Sequence, residues 1–249
     1  MKTKILDERD GNFQEIETEL DSKAGLFDLI GKRSEVGKVI TIDGVEYIVE
    51  QNAETFNDIE HNIVVGENSH AEGTSTIAVG RHSHAEGYQT KTTHPYAHAE
   101  GLLTVASGDD SHAEGDSCEA SGPSSHAEGS FTIASGECGH SEGGATEASG
   151  DYSHAEGYET KATGDYSHAE GNNTTASGYQ SHAEGDNTVA SAGYTHAEGL
   201  RSQATALMAH AEGSDTVASG NSSHAEGIDT VASGYNSHAE GCGTVASSN

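Results

Sequence analysis

A histidine recurs at an unbroken fourteen-residue interval thirteen times, at His70, His84, His98, His112, His126, His140, His154, His168, His182, His196, His210, His224 and His238. Each opens a His-Ala-Glu-Gly tetrapeptide, varied once at Ser141. A glutamate therefore follows two residues on, at Glu72, Glu86, Glu100, Glu114, Glu128, Glu142, Glu156, Glu170, Glu184, Glu198, Glu212, Glu226 and Glu240. An interval that tolerates no insertion over this length means that one structural unit stacks on copies of itself, each burying its faces against the next. The chain is mostly a rod. Only 32% of its 249 residues are hydrophobic and Trp is absent, too little for a large apolar core, while the strict period argues equally against disorder.

The full unit reads Ser-His-Ala-Glu-Gly-x-x-Thr-x-Ala-Ser-Gly-x-x, as in Ser223 to Asn236. Both halves alternate small and other residues with period two, which is the strand period. Variable pairs such as Ile228-Asp229 and Tyr235-Asn236 suit tight corners between the strands. The two prolines, Pro95 and Pro123, share one corner position, where a missing amide donor costs no ladder bond. Two short strands and two corners make one flat coil of a β-solenoid, with coils about 4.8 Å apart. A loop this short encloses only small side chains. The reading therefore turns Ser, Ala and Gly of the first strand and Thr, Ala and Gly of the second inward, with the hydroxyls bonded to backbone or to one another.

With that face inward, His and Glu point outward on one long stripe. Solvent rarely demands the same two residues thirteen times, and the other outward positions vary freely (Ile77, Lys91, Val105, Glu119). The stripe is read as an interface. The unit resembles the fourteen-residue head repeat of trimeric autotransporter adhesins, Ser-Val-Ala-Ile-Gly-x-x-Ser-x-Ala-x-Gly, from Ser69 to about Asn249. Asn62-Ile63-Val64-Val65-Gly66 matches a preceding half-unit. The resemblance implies a left-handed parallel β-roll assembled as a homotrimer, with the Val and Ile positions on the trimer axis. It therefore places the thirteen His/Glu pairs at that axis and implies a polar core. Cα atoms two apart on a strand lie about 6.6 Å from each other, so the expected pairing is between subunits, His of one against Glu of the next. Three histidines around an axis can also hold a metal ion. An ion-pair network without any cofactor is the favoured state, because no Cys-x-x-Cys cluster accompanies the stripe.

The formal charge of -30 divides into -9 for residues 1–68 (seven basic, sixteen acidic) and -21 for the rest (four basic, twenty-five acidic). A surface this acidic disfavours nucleic acid and anionic membrane as partners. Cys118, Cys138 and Cys242 fall in different coils and on different faces, which predicts free thiols and assembly in a reducing compartment. The first ten residues turn charged before an apolar leader can form, and no stretch is long and apolar enough to span a membrane. The expected setting is therefore a phage or phage-tail-like particle made in the host cytoplasm. The rod would be its fibre shaft or adhesin, holding a receptor-binding tip or contacting the host surface. A bacterial cell-surface adhesin head is the alternative.

Residues 1–61 are read as the segment attaching the rod to a baseplate, tail or capsid protein, and residues 62–249 as the shaft. Phe13, Ile16, Leu20, Ala24, Phe27 and Ile30 recur three or four apart, predicting a short amphipathic helix and so a small α+β segment before an otherwise all-β chain. Lys38–Ile42 and Val45–Val49 flank Asp43-Gly44, a hairpin signal with a type I′ turn. The array runs to the last residue without a capping sequence, although an exposed solenoid end normally needs one; a further tip or a capping partner is expected there.

Eight tyrosines lie at corners, and Tyr96, Tyr152, Tyr166 and Tyr194 share one corner position. Such rings stack on a host-surface glycan or cover the coil below. Ice binding through Thr-x-Ala-Ser ladders is the third class, interrupted by Lys91, Glu119, Glu147, Lys161 and Gln203. Thirteen equivalent His/Glu pairs offer no distinct cleft, nucleophile or orienting group, so no enzymatic activity is expected.

Overall fold

A computed structural model describes residues 2–7, 12–17, 39–42, 45–48 and 62–248. From Asn62 onward the chain winds into a parallel β-solenoid. Thirteen five-residue strands, His70–Thr74 to His238–Cys242, form one sheet, and fourteen two-residue strands, Ile63–Val64 to Val245–Ala246, form the other. Register is coil on coil, with His98 against His84 and His112, and Glu100 against Glu86 and Glu114. No helix occurs among the described residues.

Inside the coil stand three columns of small residues. The Ala of the long strand and the Ala of the short strand are fully buried from Ala78 to Ala232, as is the Thr column from Thr76 to Thr230, which Cys118 joins. The serines before the histidines are also buried, and in some coils they donate back across the corner, Ser83 Oγ to Gly80 O at 2.7 Å and Ser153 Oγ to Gly150 O at 2.6 Å, whereas Ser125, Ser167, Ser223 and Ser237 Oγ have no partner. Two departures from the repeat are compensated. Thr92, where other coils have Ala, donates to Ser83 Oγ at 2.9 Å; Ser141 lies 2.7 Å from Thr146 Oγ1. The inferred hydroxyl ladder holds only in part, because Thr90, Thr132, Thr160, Thr174 and Thr188 Oγ1 are buried without a partner. Their neighbours above and below in the column are threonines, with Cys118 beside Thr132 and Ser202 beside Thr188.

The corners carry a period of seven. A non-glycine residue with φ between 51° and 59° recurs every seventh position from Asn68 to Asn236. Its amide joins the ladder, as in Tyr152 N to Glu137 O at 2.7 Å and Asp229 N to Ser214 O at 2.9 Å. At the proline position the amides make no such bond. Glu137 N and Asp151 N donate instead to the carboxylates of Asp151 and Asp165, which is why Pro95 and Pro123 fit.

Three expectations are corrected. The glycine ending each tetrapeptide is not an inward residue: Gly73, Gly87 and Gly157 lie at the surface, with φ of 102° to 112°. A Cβ on Gly157 would sit 2.2 Å from Gly171 O, so the absence of a side chain, rather than its size inside the coil, sets the requirement. In addition, Tyr88 and Tyr158 end long strands rather than occupying corners.

The third correction is at the start of the chain. Phe13 and Ile16 lie on a strand, β2 (Asn12–Glu17), antiparallel to β1 (Lys2–Asp7) with Leu6 opposite Phe13 and Thr3 opposite Ile16. A three-residue spacing also places two apolar residues on opposite faces of a strand, and the ladder to Lys2–Asp7 decides between the two. Leu20, Ala24, Phe27 and Ile30 lie outside the described residues. The second hairpin takes the expected register, with β3 (Val39–Ile42) against β4 (Val45–Ile48) and Ile42 opposite Val45. Its Asp43-Gly44 turn lies outside the described residues.

Candidate interface: the histidine and glutamate stripe

The long strand alternates around a buried Ala, which turns the preceding His and the following Glu outward together. Parallel in-register pairing then repeats this at every coil. The imidazoles from His84 to His196 stack face to face, with centroids 4.7 to 4.9 Å apart and ring planes within 8°. At the lower end the His70 ring is tilted by 51° to that of His84.

His and Glu of one strand do approach each other, contrary to the expectation from Cα spacing. Their side chains lean together in twelve of the thirteen coils, His140 being the exception. His70 Nε2 lies 3.2 Å from Glu72 Oε2, and the distances elsewhere run from 3.4 to 3.9 Å. Only the His70 contact is a hydrogen bond. From His84 to His224 the Nε2 atoms are buried and without a hydrogen-bond partner, although about a third of each of these side chains is exposed.

The field along the stripe is that of like groups stacked at the coil spacing. Partial burial, then the neighbouring imidazoles, lower the pKa of His98, His112, His140, His168, His182, His196 and His210. The glutamates alternate. Hydrogen bonding to the next carboxylates raises Glu100, Glu128, Glu156 and Glu184 to about 7, and holds Glu114, Glu142 and Glu170 between them low. Protonated and ionised carboxyls thus share protons along the column, which relieves the repulsion of a continuous row of charges. Beside the glutamates, the bare glycines leave a shallow trough lined by Glu100, Glu114, Glu128, Glu142 and Glu156; a second stretch is lined by Glu72, Glu86 and Glu100.

The four tyrosines of one corner are each about half exposed. Tyr152 and Tyr166 stack at 5.2 Å, and Tyr179, from the adjacent position, meets Tyr166 and Tyr194 edge-on. Tyr96 stands apart, stacked on His82 and under the Arg81 guanidinium. Signals missed in the sequence lie at the opposite corner, where Arg201 pairs with Asp215 through two 2.6 Å bonds and Asn173 bonds Asn187; a fourteen-residue offset between complementary polar residues would have found them. All three cysteines are free, Cys118 buried and Cys138 and Cys242 exposed.

The YadA head domain repeat matches residues 63–93, 169–191, 211–237 and 225–246, all within the solenoid. No curated protein matches the chain.

Proposed function

On the footing that the solenoid carries YadA head domain repeats, and is therefore an adhesin-like structural rod, we propose that three copies assemble around the His/Glu stripe. The homotrimer would serve as a fibre shaft or adhesin of a phage or phage-tail-like particle. Heads of the YadA type form homotrimers in general. The observation that carries the assembly is the row of buried, unpartnered Nε2 atoms from His84 to His224 beside a trough of carboxylates. A buried polar atom without a partner costs about 1–3 kcal/mol, and a second chain laid along the trough offers a partner at every coil. Three free cysteines support a particle assembled in a reducing cytoplasm over a secreted adhesin. Residues 1–61 would attach the rod to the particle, and the Tyr152, Tyr166 and Tyr194 corner, with Tyr96, would touch host-surface glycan.

Native mass spectrometry tests the assembly: the 25.7 kDa chain is expected at three times its mass, and a monomer would refute it. Immunogold labelling of the producing culture tests the setting. Label on particles released by lysis supports the phage reading; label on intact cells would replace it with the surface-adhesin reading.

A further inference from the structure

The histidines and glutamates are spaced wrongly for one another and suitably for a third party. His154 Nε2 lies 3.6 Å from Glu142 Oε1 of the coil before and 3.8 Å from Glu156 Oε2 of its own. His126 Nε2 lies 3.9 Å from Glu114 Oε1 and 3.7 Å from Glu128 Oε2. Hydrogen bonds of this type close to about 2.7–2.9 Å, so none of these four contacts is one. Donors that share an ion with bonds of roughly 2.0–2.2 Å stand about 3.3–3.8 Å apart at tetrahedral to trigonal angles; both His154 contacts fall in that window, and of the His126 contacts the 3.7 Å one does while the 3.9 Å one needs a small closure.

The nitrogen in each set is buried and lacks a hydrogen-bond partner, which leaves its ring lone pair available to an ion in the neutral tautomer. The next imidazole is within reach as well, since ligand atoms of His154, Glu156 and His168 all fall within 4.8 Å of one another.

We propose that the stripe is a linear array of divalent transition-metal sites, each formed by one histidine Nε2 and the carboxylates of its own and the preceding coil. His154 with Glu142 and Glu156 is the best-formed set, and His126 with Glu114 and Glu128 the next. Each carboxylate serves one ion, so the sites fall on alternate coils. Two carboxylates then neutralise one divalent cation, and the column loses the like-charge contacts that otherwise run along it. One nitrogen and two oxygens suit Zn²⁺ or Co²⁺ rather than Ca²⁺ or Mg²⁺, which take oxygen alone. Every donor of a set belongs to one chain and the ions occupy alternate coils, which leaves the intervening Nε2 atoms for the subunit contact; ion count and native mass are read separately, so failure of either reading is distinguishable.

The test titrates the full chain, carrying Cys138→Ser and Cys242→Ser to remove the exposed cysteines, with CoCl2 at neutral pH after chelator treatment. The expected result is a saturable visible absorption of low-symmetry Co²⁺ in the micromolar range, abolished by ZnCl2. His126→Gln with His154→Gln is expected to lower the number of bound ions by about two, and Glu142→Gln with Glu156→Gln by about one with every histidine retained. Circular dichroism shows whether each variant keeps its fold; if the histidine variant does not, the glutamate variant decides. Absence of saturable binding, or an unchanged number of ions in the folded variants, would overturn the proposal.

Discussion

At the scale of the residue, one stripe holds two kinds of proton chemistry. Glu100, Glu128, Glu156 and Glu184, raised to about 7, bind a proton in the folded chain that the unfolded chain loses near 4.5. Their stabilising contribution is therefore complete below 4.5 and lost as the pH rises toward 7. Replacing all four by Gln fixes the donor permanently. In chelator, the Tm of this variant is expected to gain on that of the parent between pH 4.5 and 7, with a constant difference above pH 7. The histidines act in the opposite sense, losing stability as the pH falls through their ordinary 6.5; both proteins share that loss. A difference independent of pH would show that the carboxyls do not share protons. The core hydroxyls divide similarly. Thr160 Oγ1 has no partner, so Thr160→Val is expected to be neutral or to stabilise by up to about 1 kcal/mol, whereas Ser153→Ala removes a bond to Gly150 O and costs about 1 kcal/mol. Thermal melts in which the Val variant is the weaker of the two would contradict this.

At the scale of the element, strands contribute little apolar area and the ladders and corners carry the coil. The left-handed corner residues cost about 1 kcal/mol each unless they are Asn, Asp or Gly. Phe131, exposed and at φ 57°, is a poor occupant; Phe131→Asn is expected to raise the urea midpoint by roughly 0.5–1 kcal/mol equivalent. Gly157→Ala is expected to cost more than about 2 kcal/mol, since backbone strain and the Gly171 carbonyl oppose it together. An unchanged midpoint for the alanine variant would contradict the backbone geometry of the long strand. These elements were unequally legible. The fourteen-residue histidine interval dictated parallel, in-register strands, and the alternation around Ala155 told inside from outside. The seven-residue corner period was hidden because its occupants, Leu103, Phe131, Tyr152 and Glu159 among them, share a conformation and no chemistry. Phe13 and Ile16 misled because three-residue spacing fits a helix face and opposite faces of a strand alike; the Asp10-Gly11 pair between the two apolar runs was the better signal.

At the scale of the whole molecule, the rod is a register device: one coil's geometry, repeated, turns a pair of residues into a continuous surface. That His and Glu belong to a stripe was legible from their periodicity. That they lean together within one chain was not, because side-chain direction along a strand does not follow from Cα spacing. The central claim, that this stripe is covered by copies of itself about a three-fold axis, is tested most directly by disulfide trapping. A single Glu156→Cys is introduced with Cys138→Ser and Cys242→Ser, and the oxidised protein is run on a denaturing gel without reductant. Cysteines meeting at the axis join two of the three chains, so a dimer band with residual monomer is the predicted result, absent when Phe131→Cys replaces Glu156→Cys at the exposed corner. A chain that stays monomeric with a freely alkylated cysteine at position 156 would show the stripe facing water and contradict the account.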